Sequence, residues 1–69
     1  MFISCKRKGY IGDTVTWYNA VINSDQISYI ESYEDETIVH FIGNYSSITV
    51  DKTVEEFNKI LTKKEVLNG

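Results

Sequence analysis

Between residues 27 and 50 three short runs, Ile27 to Tyr33, Thr37 to Ile42 and Tyr45 to Val50, follow one another at hairpin distance. Glu34-Asp35-Glu36 joins the first two, and Gly43-Asn44 joins the last two. Connections of about three and two residues are too short for the crossover a parallel pair needs, so these runs must pair antiparallel as a meander. Asn23-Ser24-Asp25-Gln26, which precedes them, is rich in short polar side chains that bond their own backbone, and it reads as a tight turn or one helical turn.

Upstream, Thr14 to Ile22 is dense in β-branched and aromatic residues, which suit a pleated, half-buried surface, and it reads as another strand. Residues 1 to 7 alternate Met1, Ile3 and Cys5 with Phe2, Ser4 and Lys6 and read as the first strand. Lys8 to Asp13 holds Gly9 and Gly12 and reads as a loop or wide hairpin.

One helix follows. Thr53 with Glu56 three residues later matches a capping box, in which each side chain satisfies the other residue's free backbone N–H. Val54, Phe57, Ile60 and Leu61 then fall on one stripe, with Glu55, Glu56, Lys59, Lys63 and Lys64 elsewhere, and the spacing predicts a helix from about 54 to 66. The expected fold is a single α+β domain over residues 1–69: a four- or five-stranded antiparallel meander sheet packed by one C-terminal helix. A single helix cannot cover both faces. Val15, Trp17 and Val21 alternate with Tyr18, Ala20 and Ile22, so apolar side chains reach both sides of the same strand. The uncovered side calls for a partner, and self-association is the simplest supply.

With 69 residues the chain buries only about 60% of the surface its unfolded form exposes. No run approaches the roughly 20 apolar residues of a membrane helix, so no membrane insertion is expected. The apolar start precedes the basic triplet Lys6-Arg7-Lys8, the reverse of a secretory leader, and Cys5 has no cysteine to pair with; both point to the cytoplasm.

Chemistry-bearing residues are few. His40 is the single histidine and Cys5 the single cysteine, so no zinc set is complete; Glu31, Glu34, Asp35 and Glu36 lack calcium-loop spacing. Neither a catalytic site, a cofactor nor a metal is expected, and His40 reads as a structural or surface residue. Ten acidic against seven basic residues, a net charge of -3, disfavour nucleic acid. Lys6, Arg7 and Lys8, with Tyr10 and Trp17 nearby, are the one basic and aromatic combination suited to contact a nucleic acid or a partner.

Residues 22 to 61 resemble two families. Ile22-Asn23, Asp25 and Ile27, the hairpins after them, and Thr53-Val54-Glu55-Glu56 are similar to the FlbD family of small flagellar proteins. Ile27, Tyr29, Ile30, Glu31 and Ser32, with the hairpin and helix that follow, are similar to the first part of the LytTR DNA-binding domain. That family's further strands and basic residues have no counterpart within these 69 residues, so the likeness carries over a scaffold and no DNA-contacting residue. The resemblances imply a small bacterial or phage accessory protein. The expected function is a non-enzymatic interaction module working as a homo-oligomer or docked on a larger protein assembly. A small LytTR-like DNA-binding regulator is the alternative.

Overall fold

A computed structural model describes residues 1–43 and 46–68, with side chains through Thr62. The strands are β1 (Phe2–Ile11), β2 (Thr14–Asn23), β3 (Ile27–Tyr33), β4 (Glu36–Phe41) and β5 (Ser47–Val50), followed by the helix α1 (Val54–Asn68). They form one antiparallel five-stranded sheet in the order β2-β1-β5-β4-β3. This is the expected small α+β fold. The meander proper is β3-β4-β5, and the β1-β2 hairpin joins it where Arg7 pairs with Val50.

The sheet has to curl. β2 and β3 are opposite edges of five strands, about 19 Å apart if the sheet were flat. Yet only Ser24–Gln26, one 3-10 turn, joins them, and four residue steps reach at most about 14 Å. Asn23 Oδ1 caps that turn by accepting from the Asp25 N–H at 3.0 Å. The N–H of Ser24 reaches the Met1 carbonyl at 2.8 Å, and the Ile42 N–H reaches the Gln26 carbonyl at 2.8 Å, which pins the turn to both halves.

The hollow of this curl holds Ile3, Cys5, Ile22, Val39 and Val50, closed by Phe57 of α1, which is 1% exposed. Ile60 and Leu61 pack against the same cluster from the expected helical stripe. The helix begins where the capping box demands: Glu56 N–H donates to Thr53 Oγ1 and Thr53 N–H donates to Glu56 Oε1, both at 3.1 Å. It runs to Asn68, two residues beyond the expected end.

Several strand limits differ from the sequence reading: β1 starts at Phe2 and β2 ends at Asn23, each one residue later than expected. β1 continues through Lys8, Gly9 and Tyr10 to Ile11, so the expected loop shrinks to Gly12-Asp13, with Gly12 at φ +59. Gly9 stays in the strand because the Tyr18 ring occupies the space its side chain would need; a Cβ there would lie 2.6 Å from Tyr18 Cε2. β4 starts one residue earlier, at Glu36, because Glu34 and Asp35, at φ +50 and +65, complete the turn as a two-residue hairpin that matches strand twist. β4 also ends at Phe41, and Ile42 enters the next turn. Tyr45, the expected start of the last strand, lies outside the described residues, and β5 is assigned from Ser47.

No described helix is long and apolar enough to cross a membrane.

Candidate functional site: the β1-β2 hairpin

The ten-residue strands of the hairpin pair along their whole length, from Phe2↔Asn23 to Ile11↔Thr14, and each spans roughly 33 Å. Only Arg7 of β1 is paired across to β5. Beyond it, residues 8–17 pair with each other and form an arm on a molecule measuring 47 × 24 × 22 Å. The radius of gyration, 12.8 Å, exceeds the about 11 Å of a compact chain this long, as an elongated shape requires.

Strand alternation gives the hairpin two faces. Ile3, Cys5 and Arg7 of β1 stand opposite Ile22, Ala20 and Tyr18 of β2, on the core side. Lys6, Lys8 and Tyr10 stand opposite Asn19, Trp17 and Val15, on the outer side. The basic triplet is therefore split rather than clustered. Arg7 lies over the Tyr18 ring, 4.7 Å from its centroid, on the side away from Lys6 and Lys8. Lys8 Nζ is 2.7 Å from Glu36 Oε2 and 5.8 Å from the Tyr10 ring centroid. The hydrogen bond to Glu36 raises the Lys8 pKa above the usual lysine value, which favours the charged ammonium. Lys6 is held by its backbone: its N–H donates to Asp51 Oδ1 at 2.8 Å, and its carbonyl accepts from the Asp51 N–H at 3.0 Å.

What the arm offers outward is aromatic and aliphatic. Tyr10 and Ile11 are each 63% exposed, and Val15 and Trp17 are also exposed; outside the arm, on the same strand as Trp17, Val21 is 64% exposed. Trp17 borders a shallow depression of about 320 Å³ with Asp35, Glu36, Thr49, Asp51 and Thr53, so one wall is acidic.

Sequence reading passed over a second polar cluster. Tyr29 and His40, paired across β3 and β4, stack with ring centroids 4.1 Å apart. His40 Nε2 lies 3.3 Å from Glu31 Oε2, without hydrogen-bond geometry although that nitrogen is shielded from water. Glu36, the carboxylate nearest in sequence, is bonded to Lys8 instead. The signal that could have found Glu31 was the two-residue turn, which sets the β3-β4 register. The same register sets Tyr29 opposite His40, and the bulge just beyond, between Ile27 and Tyr29, brings Ile27 opposite Phe41. Cys5 is buried, and its thiol pKa is raised by burial and then by the nearby Asp51 carboxylate, an environment that suppresses the nucleophilic thiolate. Among the described residues no three His, Cys, Asp or Glu side chains are grouped to hold a metal ion.

A groove of about 290 Å³ runs between β3 and α1, lined by Ile27, Tyr29, Ile30, Val54, Phe57 and Leu61 among others. Its walls are largely apolar side chains of the helix contact.

Comparison with protein-family models, with curated proteins and with solved structures finds no match to this chain.

Proposed function

We propose that the chain is a non-enzymatic protein-interaction module and that the β1-β2 arm is its contact element. One observation carries this reading: the arm holds Tyr10, Ile11, Val15 and Trp17 exposed on strands that have left the rest of the sheet. Aromatic side chains held on rigid strands lose little entropy on binding and are the usual anchors of protein contacts. The cations argue in the same direction. Arg7 is committed to Tyr18 and Lys8 to Glu36, so a phosphate backbone would have to break existing contacts to use them. The DNA-binding alternative drawn from the LytTR likeness is weaker for that reason. A cytoplasmic setting suits the unpaired, buried Cys5.

A photo-cross-linking residue at Tyr10 and, separately, at Lys59 on the exposed side of α1 tests the reading in cells of the source. Adducts to protein from position 10 that are absent from position 59 are expected. Adducts confined to position 59 would overturn the arm as contact element. Sequence-selective duplex binding at nanomolar concentration, abolished by substituting Lys6 and Lys8, would replace the reading with the DNA-binding one.

A further inference from the structure

The two edges of the sheet are not equivalent. β3 is seven residues long, carries Glu31, is bulged between Ile27 and Tyr29, and has α1 packed beside it. Those are the features by which an edge is protected from pairing. β2 has none of them. It is ten residues long, without a charged residue or a proline, in unbroken register with β1.

The hydrogen-bond phase of β2 is set at both ends. The two-residue turn Gly12-Asp13 makes Ile11↔Thr14 a hydrogen-bonded pair, and the Ser24 N–H on the Met1 carbonyl at 2.8 Å continues the same phase. Even-numbered residues of β2 therefore bond to β1. Odd-numbered ones, with Trp17, Asn19 and Val21 at the centre, aim N–H and C=O away from β1, and the side chains of these three are exposed.

We infer that the partner of the β1-β2 hairpin is a second copy of the chain, joined β2 to β2 antiparallel about a twofold axis at Asn19. The inference rests on the interaction-module reading and names its partner. A strand paired with its own copy must be chemically compatible with itself, and an uncharged strand brings no like charges into the ladder. An axis at Asn19 makes Asn19 face Asn19 of the second copy as a hydrogen-bonded pair. It sets Trp17 opposite Val21 of the second copy, twice, and these aromatic and β-branched cross-strand pairs cover side chains otherwise left in water. Both strands keep their core-side residues on one side, so the two curled sheets join into one of ten strands. Asp13 and Asp25 of opposite copies approach at the ends of the ladder, in the turns, so added salt strengthens association.

Sedimentation equilibrium of the full chain at about 100 μM should show a dimer. Asn19→Pro removes one outward N–H and no bond to β1, so a folded monomer by circular dichroism is expected. Should that variant fail to fold, Val21→Lys, which places a charge on an exposed position of the edge, should weaken the dimer by roughly tenfold or more. Asn19→Cys should cross-link to itself under mild oxidation, whereas Val15→Cys, distant from its own copy in this register, should not.

A wild-type chain that stays monomeric, or either folded edge variant that dimerises as the parent does, overturns the inference. Self-cross-linking at position 15 and none at 19 overturns the register. Monomeric behaviour together with protein adducts at position 10 removes the second copy as partner and leaves the interaction module; monomeric behaviour without those adducts removes both.

Discussion

Phe57 and Tyr10 are both large aromatic residues on elements with clear apolar stripes, yet one is 1% exposed and the other 63%. The difference lies in what each element faces. Phe57 sits in the first turn of a helix that closes the mouth of a curled sheet, and it joins Ile3, Cys5 and Val39 from strands far away in sequence. Tyr10 sits on a strand that has passed the last rung to β5, so Val15 across the ladder is its cross-strand neighbour. Burial in this chain follows the number of elements converging on a position, and the arm has only two strands. A lone two-stranded hairpin is marginal in water. This one is supported at its root by the core and along its length by the Arg7-Tyr18-Gly9 contact.

Removing the core side of the comparison gives the largest effect. Phe57→Ala should cost about 3 to 5 kcal/mol, near the whole stability of so small a domain, and leave the chain largely unfolded in urea melts followed by circular dichroism. A midpoint close to that of the parent would mean that the helix does not close the sheet.

Gly9→Val attacks the arm's own packing. Its Cβ would meet the Tyr18 ring, displace it from Arg7, and cost about 1 to 3 kcal/mol as an overpacked contact does. Chemical-shift changes should center on Tyr18 and Arg7 and leave Phe57 unmoved; an undisturbed Tyr18 ring would show that the arm has no internal packing of this kind.

Tyr10→Ser is the matched opposite of the Phe57 variant. At an exposed position it should change stability by less than about 0.5 kcal/mol while removing the cross-link to partner protein made through a neighbouring photoreactive Ile11 position. A loss of stability approaching that of Phe57→Ala would dissolve the distinction between core and arm.

The smallest signal comes from Cys5, at the root of the hairpin. Its pKa is raised in the folded state, by burial first and by Asp51 second. The unfolded chain therefore releases the thiol proton at lower pH than the folded chain does. The stability attached to the neutral thiol is complete below the ordinary cysteine pKa and declines as pH rises from there through the folded value. Cys5→Ala should flatten that alkaline decline in a series of urea melts; an unchanged slope would place its cause elsewhere.

Some of this architecture was legible residue by residue. The capping box at Thr53 and Glu56 involves partners three positions apart, and the helical stripe at Val54, Phe57, Ile60 and Leu61 repeats within two turns, so local chemistry sufficed to place α1 and its buried side. The alternation in residues 14–22 likewise put Val15, Trp17 and Val21 on one side and Ile22 on the other, and the packed sheet left the first side exposed and buried Ile22.

Long-range geometry decided the rest. Gly9 reads as a turn residue until the Tyr18 ring, nine positions later, is laid over it and the strand runs on to Ile11. Lys6, Arg7 and Lys8 read as one basic group until the pleat sends Arg7 to the other face and Glu36, twenty-eight positions away, takes Lys8. Sequence periodicity reports which residues share a face, because that depends on the backbone repeat alone. Which strand lies beside which, and which edge is left without a neighbour, depends on closing the sheet around Phe57, and that is a property of the packed whole.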